Sequence, residues 1–267
     1  MLTTQGGKTL SPGSTRVTTR FSNGLAGSTP LIGNGRAYVK APYSLYSGVF
    51  SVFIPGNDAL RFSLDASVFP TQFPAKTRLE WDVTPGSWGG INGYQHIDYG
   101  NYDDSPTTLT PKQTKNITSM MVDCNWTFPG VNQSGLLCEC WLTPASHASG
   151  PVSNTAVFEV GFFPKCSPGS QAYAAGAIPV GSFVDVNGVT WNVGQEVSGV
   201  GAFPYFVATR NSYAEHQGVL DFKSYFAFLQ TQGKITGNEW FNGVAFGPEL
   251  YIGSGVVTVD TFATTYA

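Results

Sequence analysis

Ala156-Val157-Phe158-Glu159-Val160-Gly161-Phe162-Phe163 alternates with a period of two. On a strand, Phe158, Val160 and Phe162 share one face, while Val157, Glu159, Gly161 and Phe163 share the other. The all-apolar face belongs to a core, which turns Glu159 to the opposite surface. Gly161 beside it leaves open space above the sheet. A carboxyl placed there can meet a ligand; its plainer reading is a solvent-facing strand residue.

A second lone acid sits in Asn242-Gly243-Val244-Ala245-Phe246-Gly247-Pro248-Glu249-Leu250-Tyr251-Ile252-Gly253-Ser254-Gly255. Glu249 has glycines, a proline and apolar residues around it and no cation within several positions. Such surroundings disfavour the charged form and raise the pKa, as a proton donor working near neutral pH requires. Two isolated carboxyls in strand-like sequence point to glycoside hydrolysis.

The rest of the chain supports a β-rich fold. Residues 49–54, 60–65, 77–83, 120–128, 136–143, 182–186, 189–193, 204–209 and 255–263 are short, near period two, and bounded by Gly, Pro or Asn. Asn187-Gly188 between two alternating runs is a strong hairpin signal. Pro129-Gly130-Val131-Asn132 reads as another hairpin connection. Residues 1–45 read as an irregular arm joining a sheet. One helix is expected over residues 220–231: Phe222, Tyr225, Phe226 and Leu229 form a single stripe, with Gly233 placed to end it. No repeat or linker divides residues 1–267. The expected fold is all-β, a single β-sandwich domain of two antiparallel sheets with one α-helix packed on its outside.

Composition narrows the function. Only 12% of the 267 residues are charged, against roughly 25% in ordinary chains. Aromatics reach 14%, and the net charge is −3. This suits a neutral, hydroxyl-rich ligand such as a sugar and leaves no electrostatic footprint for nucleic acid or an anionic membrane. No apolar run approaches the roughly 20 residues of a membrane-spanning helix, and the N-terminal residues lack a signal-peptide pattern.

The four cysteines are Cys124, Cys138, Cys140 and Cys166. On a strand, Cys138 and Cys140 point one way and Glu139 the other. A disulfide from Cys124 to Cys138 or Cys140 and a set of free buried thiols are both open readings. The cysteine spacing and the scattered histidines, at 96, 147 and 216, do not fit a zinc site. The histidines read as surface or loop residues, and no metal or organic cofactor is expected.

The ordered fragments from about Trp81 to Ala267 resemble glycoside hydrolase family 12, a jelly-roll group of β-1,4-glucanases and xyloglucanases. Phe158-Glu159-Val160 is similar to the strand carrying that family's nucleophile. Ile178-Pro179-Val180-Gly181-Ser182 and the hairpin after it are similar to its Pro-Ile-Gly-Ser segment. Phe246-Gly247-Pro248-Glu249 resembles its acid/base motif, and Cys138-Glu139-Cys140-Trp141-Leu142-Thr143 the strand that supplies an Asp beside the nucleophile. Here that neighbour is Glu139. Gly161 and Phe163 replace the usual Met and Trp, and Ser22-Asn23-Gly24-Leu25-Ala26-Gly27 echoes the family's Asn-Asn-Leu-Trp-Gly platform without its Trp.

The resemblance implies retention of configuration, with Glu159 as nucleophile and Glu249 as acid/base about 5–5.5 Å apart. Glu139 would orient Glu159 and couple to its titration, or else serve as a structural polar residue. Trp88, Tyr94, Trp126 and Trp141 are candidate sugar platforms, and Asn23 and Pro179 further contacts. The expected partner is a β-glucan, cleaved outside the cell by a monomer. Three Asn-x-Ser/Thr sequons, at Asn116, Asn125 and Asn132, are compatible with secretion. A non-catalytic carbohydrate-binding jelly roll and a structural, capsid-like sandwich are the rival readings.

Overall fold

The computed structural model describes residues 36–46, 59–64, 73–83, 93–102, 108–128, 134–198, 201, 203–250 and 253–267. In chain order the first strands are β1 (Arg36–Lys40), β2 (Tyr43–Tyr46), β3 (Ala59–Leu64), β4 (Thr77–Val83), β5 (Gly93–Tyr94), β6 (His96–Gly100) and β7 (Lys112–Gln113). Next come β8 (Met120–Thr127), β9 (Leu136–Thr143), β10 (Phe158–Lys165), β11 (Ile178–Val184), β12 (Thr190–Val197) and β13 (Pro204–Thr209). The last are β14 (Gly218–Asp221), β15 (Trp240–Phe241), β16 (Gly243–Leu250) and β17 (Gly253–Tyr266). Helices α1 (Pro168–Gly176) and α2 (Phe222–Thr231) lie among them.

The strands form a jelly-roll β-sandwich. The larger sheet runs β1-β2-β6-β16-β9-β10-β13-β12-β11, with β5, β7 and β15 at its margins; the smaller runs β14-β8-β17-β4-β3. Neighbours are antiparallel except at one junction, where β10 pairs in parallel with β13. That corrects the expectation of purely antiparallel sheets. A parallel pair needs a long crossover, which α1 and the β11–β12 hairpin provide. The hairpin turns at Asn187-Gly188, with Gly188 at φ +77°.

Alternation fills the core. Cys138 and Cys140 of β9, Val160 and Phe162 of β10, and Val244 and Phe246 of β16 point inward from the larger sheet. Val122, Cys124 and Trp126 of β8 and Val257, Val259 and Phe262 of β17 meet them from the smaller. The stripe of α2 enters the same core: Phe162 meets Phe222 and Tyr225 edge-on with ring centroids 5.0 Å apart. Asp221 caps this helix by accepting a hydrogen bond from the Ser224 amide, 2.9 Å.

Two expectations change, and one open alternative closes. First, β8 and β9 do not form a hairpin, since they belong to opposite sheets. Second, all four cysteines are free thiols, and burial raises the thiol pKa of Cys124, Cys138 and Cys140. Third, α1 accompanies the expected helix. It starts with a Ser167–Ser170 capping box and Pro168 in its first turn. Residues 1–35 and 47–58, which hold most of the expected arm and the 49–54 strand, lie outside the described residues.

Candidate active site

The same alternation that buries Cys138 and Cys140 turns Leu137, Glu139 and Trp141 to the free face of the larger sheet. On β10 it turns out Glu159, Gly161 and Phe163, and on β16 Ala245, Gly247 and Glu249. Because β16, β9 and β10 are neighbours, three acids converge on one face. Glu139 stands beside Ala245 on one side and Gly161 on the other; Glu159 stands beside Trp141 and Tyr205. Glu249 follows Pro248, which faces Leu136, so it enters from the other end of β9.

The acids are scarcely exposed: Glu139 at 4%, Glu159 at 6% and Glu249 at 5%. That little exposure makes desolvation the main influence on each. Glu139 and Glu159 hydrogen-bond to one another. Tyr102 Oη donates to Glu139 Oε1 and Tyr205 Oη donates to Glu139 Oε2, the latter at 3.3 Å. Ser198 Oγ donates to Glu159 Oε2 at 2.5 Å. Glu249 Oε2 has no hydrogen-bond partner among the described residues.

These contacts separate the acids electrostatically. Burial, then the Glu139 charge, holds Glu159 well above the carboxylate range, against the lowering pull of Ser198. Burial also raises Glu139, partly offset by the bond from Glu159, the Tyr102 hydroxyl, the His96 charge and the Tyr205 hydroxyl. Two carboxyls so placed keep a proton between them, as like charges at short range cannot both ionise. Glu249 is pushed up to about 8, by burial first and the Glu139 charge second. It is a neutral acid at pH 7.

His96 is not the surface residue the sequence implied. It is buried, with Nε2 3.0 Å from Asp98 Oδ1 and Nδ1 2.5 Å from the Tyr94 carbonyl oxygen. Burial, the largest influence, lowers its pKa, but Asp98, the Tyr94 carbonyl and Glu139 together outweigh it and the net direction is upward. With an acceptor facing each ring nitrogen, the ring favours its charged form, which in turn favours the Glu139 carboxylate.

Tyr94 and Trp141 do lie on this face, but buried. Tyr94 donates its hydroxyl to the Leu137 carbonyl at 2.8 Å, and Trp141 packs on Tyr102 and Phe203. Its indole Nε1 has no partner among the described residues. Trp126 is placed elsewhere: it faces Phe246 between the two sheets, ring centroids 6.0 Å apart, and cannot be a sugar platform. Pro179 is exposed on β11, and with α1 and β12 it lines a cavity of about 310 Å³. Trp88 and Asn23 lie outside the described residues.

The space expected above Gly161 is filled. A Cβ there would lie 2.7 Å from Tyr205 Oη, so the glycine lets the phenol reach Glu139 rather than opening room for a ligand. Tyr102, Tyr205, Ser198 and His96 were all missed from sequence. Each lies on a strand or loop whose place beside the acids is fixed only by the sheet order.

Solved structures share this architecture. A family 12 xyloglucanase from Bacillus licheniformis superposes with a TM-score of 0.66 at 13% identity, covering 87% of this chain and 97% of its own. Endoglucanase 3 of Trichoderma harzianum, from the same family, gives 0.66 at 14% identity over 88% and 95%. The xyloglucanase domain of NopAA from Sinorhizobium fredii, in complex with cellobiose, gives 0.62 at 16% over 88% and 96%. The chain has the fold of the family 12 glycoside hydrolases. No family profile matches its sequence, and no curated protein sequence matches it. The likeness to family 12 is therefore one of fold, and the chemistry rests on the acids themselves.

Proposed function

We propose that the protein is a retaining endo-acting hydrolase of β-1,4-glucan chains, working outside the cell as a monomer. The observation that carries the reading is one face of one sheet holding three buried acids, of which Glu249 stays protonated near neutrality. The fold is that of proteins named as glucanases and xyloglucanases, one of them bound to cellobiose. A binding module has no use for a proton-holding acid beside a hydrogen-bonded acid pair.

Glu249 protonates the glycosidic oxygen while Glu159, as the anion, attacks the anomeric carbon and forms a glycosyl-enzyme ester. For that step the shared proton passes from Glu159, where burial and the Glu139 charge hold it, to Glu139, which hydrogen-bonds the nucleophile and holds its orientation. Glu249, now a carboxylate, takes a proton from the incoming water, which releases the sugar and restores both acids. The reaction needs no redox partner.

Release of reducing sugar from barley β-glucan, xyloglucan and cello-oligosaccharides is the direct test, with the first-formed anomer read by proton NMR. The β-anomer is expected. An α-anomer would replace the double displacement with inversion, and inactivity on every β-1,4-glucan would reject the reading.

Ser198 gives a finer check. Its hydroxyl favours the Glu159 carboxylate, so Ser198→Ala is expected to raise the acidic limb of kcat/KM by about one pH unit, as the loss of a hydrogen bond to a charged group would. An unmoved limb would mean that Ser198 does not act on the nucleophile.

A further inference from the structure

A sugar platform must show a ring face to the ligand, and the aromatics of this sheet face do not. Tyr94, Tyr102, Trp141, Phe163 and Tyr205 are all buried against one another or hydrogen-bonded beneath the acids. Tyr173, from the helix α1, differs: it is 36% exposed, and its ring lies 6.2 Å from that of Tyr205, tilted by 40°. Tyr205 is in turn the residue that faces Glu159 and donates to Glu139. Partial burial, followed by the charges of Glu159, Glu196, Glu139 and Glu249, raises the Tyr173 hydroxyl above its ordinary range. The residue therefore stands within electrostatic reach of acids on both β10 and β16.

The helix is seated to hold that ring in place. At Gly194 of β12 an added Cβ would lie 2.6 Å from the Ala177 Cβ, and at Gly135 it would lie 3.0 Å from Ser170 Oγ. Glycines at both ends let α1 come down close onto the sheet face. Ser170 is buried within the capping box, and Ala174 and Ala177 join the aromatic cluster on this face. A helix fixed at both ends is a wall with little freedom to retreat.

We propose that Tyr173 is a substrate-contacting residue that stacks on a glucosyl ring next to the acids, and that α1 narrows the groove to unsubstituted β-1,4-glucan. The proposal rests on the hydrolase reading above and adds its specificity. Glucosyl residues bearing side-chain sugars have to pass this wall to reach the acids, and a helix fixed at both ends does not yield to them.

The test uses cellopentaose and a xyloglucan oligosaccharide with the wild type, Tyr173→Ala and Tyr173→Phe. Tyr173→Ala is expected to raise KM for cellopentaose about threefold to tenfold, the range for loss of one aromatic stacking contact, with kcat nearly unchanged. Tyr173→Phe keeps the ring and is expected to match the wild type, and thermal unfolding checks that all three are equally folded. The wild type is expected to favour cellopentaose over the xyloglucan oligosaccharide in kcat/KM. An unchanged KM in Tyr173→Ala beside an active wild type overturns the stacking role alone, and equal use of the two substrates overturns the narrowing. A wild type inactive on both overturns the hydrolase reading, and this proposal with it.

Discussion

Replacing Glu159 with Gln is expected to reduce β-glucan hydrolysis on the order of 10⁴-fold or more, the scale seen when covalent enzymes lose their nucleophile. The amide has nearly the same shape and its oxygen still accepts the hydrogen bond from Ser198, but it cannot attack an anomeric carbon. The fold should not suffer. The carboxyl it replaces is one whose ionisation is opposed by burial and by the neighbouring Glu139 charge, so the neutral amide removes a repulsion. Thermal unfolding of Glu159→Gln at pH 7 is expected to match or exceed the wild type, and cellopentaose binding is expected to persist. That combination separates lost chemistry from lost structure. Activity within tenfold of the wild type would take the nucleophile's role away from Glu159.

Glu159 was legible because its strand is short-range information. Alternation alone puts Phe158, Val160 and Phe162 in the core and the acid outside, and the Cys-Glu-Cys run fixes the phase of β9 in the same way. The stripe and cap of α2 are equally local. What sequence could not supply was the order of strands. A turn at Pro129-Gly130 looks alike whether the next strand pairs with the last or crosses to the other sheet, and here β9 crosses. Without that order Trp126 stood as a platform candidate although its strand, β8, belongs to the opposite sheet. The hairpin reading also made a cross-strand disulfide thinkable between thiols that instead pack across the core. The partners of the acids suffer from the same gap. Tyr205 reaches Glu139 only because β13 comes back parallel to β10, and Tyr102 only because it follows β6 onto this face. A closer reading could have found α1: Ser167-Pro168-Gly169-Ser170 carries a cap, a first-turn proline and a second serine at the capping-box position. Its residues form no apolar stripe, and without that stripe the start signal passed as a loop.

The group on which the pH behaviour turns is Glu249. Glu249→Gln is expected to slow hydrolysis of cello-oligosaccharides about 10²- to 10⁴-fold, the usual contribution of a placed general acid. The loss should be smaller for an aryl cellobioside, whose phenolate leaves without full protonation, and added azide should restore turnover by replacing the water that Glu249 activates. In the wild type the alkaline limb of kcat/KM is expected near the pKa of about 8, and the variant should lack it. Stability provides a readout independent of chemistry. The carboxyl holds its proton up to about 8 in the fold but only to about 4.3 in the unfolded chain. Below the lower value both states are protonated and the group is indifferent to pH. Between the two, unfolding releases a proton, so stability falls as pH rises, and above about 8 it levels off. Gln has no such titration. The unfolding-temperature advantage of Glu249→Gln over the wild type should therefore grow from pH 5 to pH 8, by up to about 4 kcal/mol in free energy. A difference that stays constant across that window would mean that Glu249 is ionised throughout and cannot be the acid.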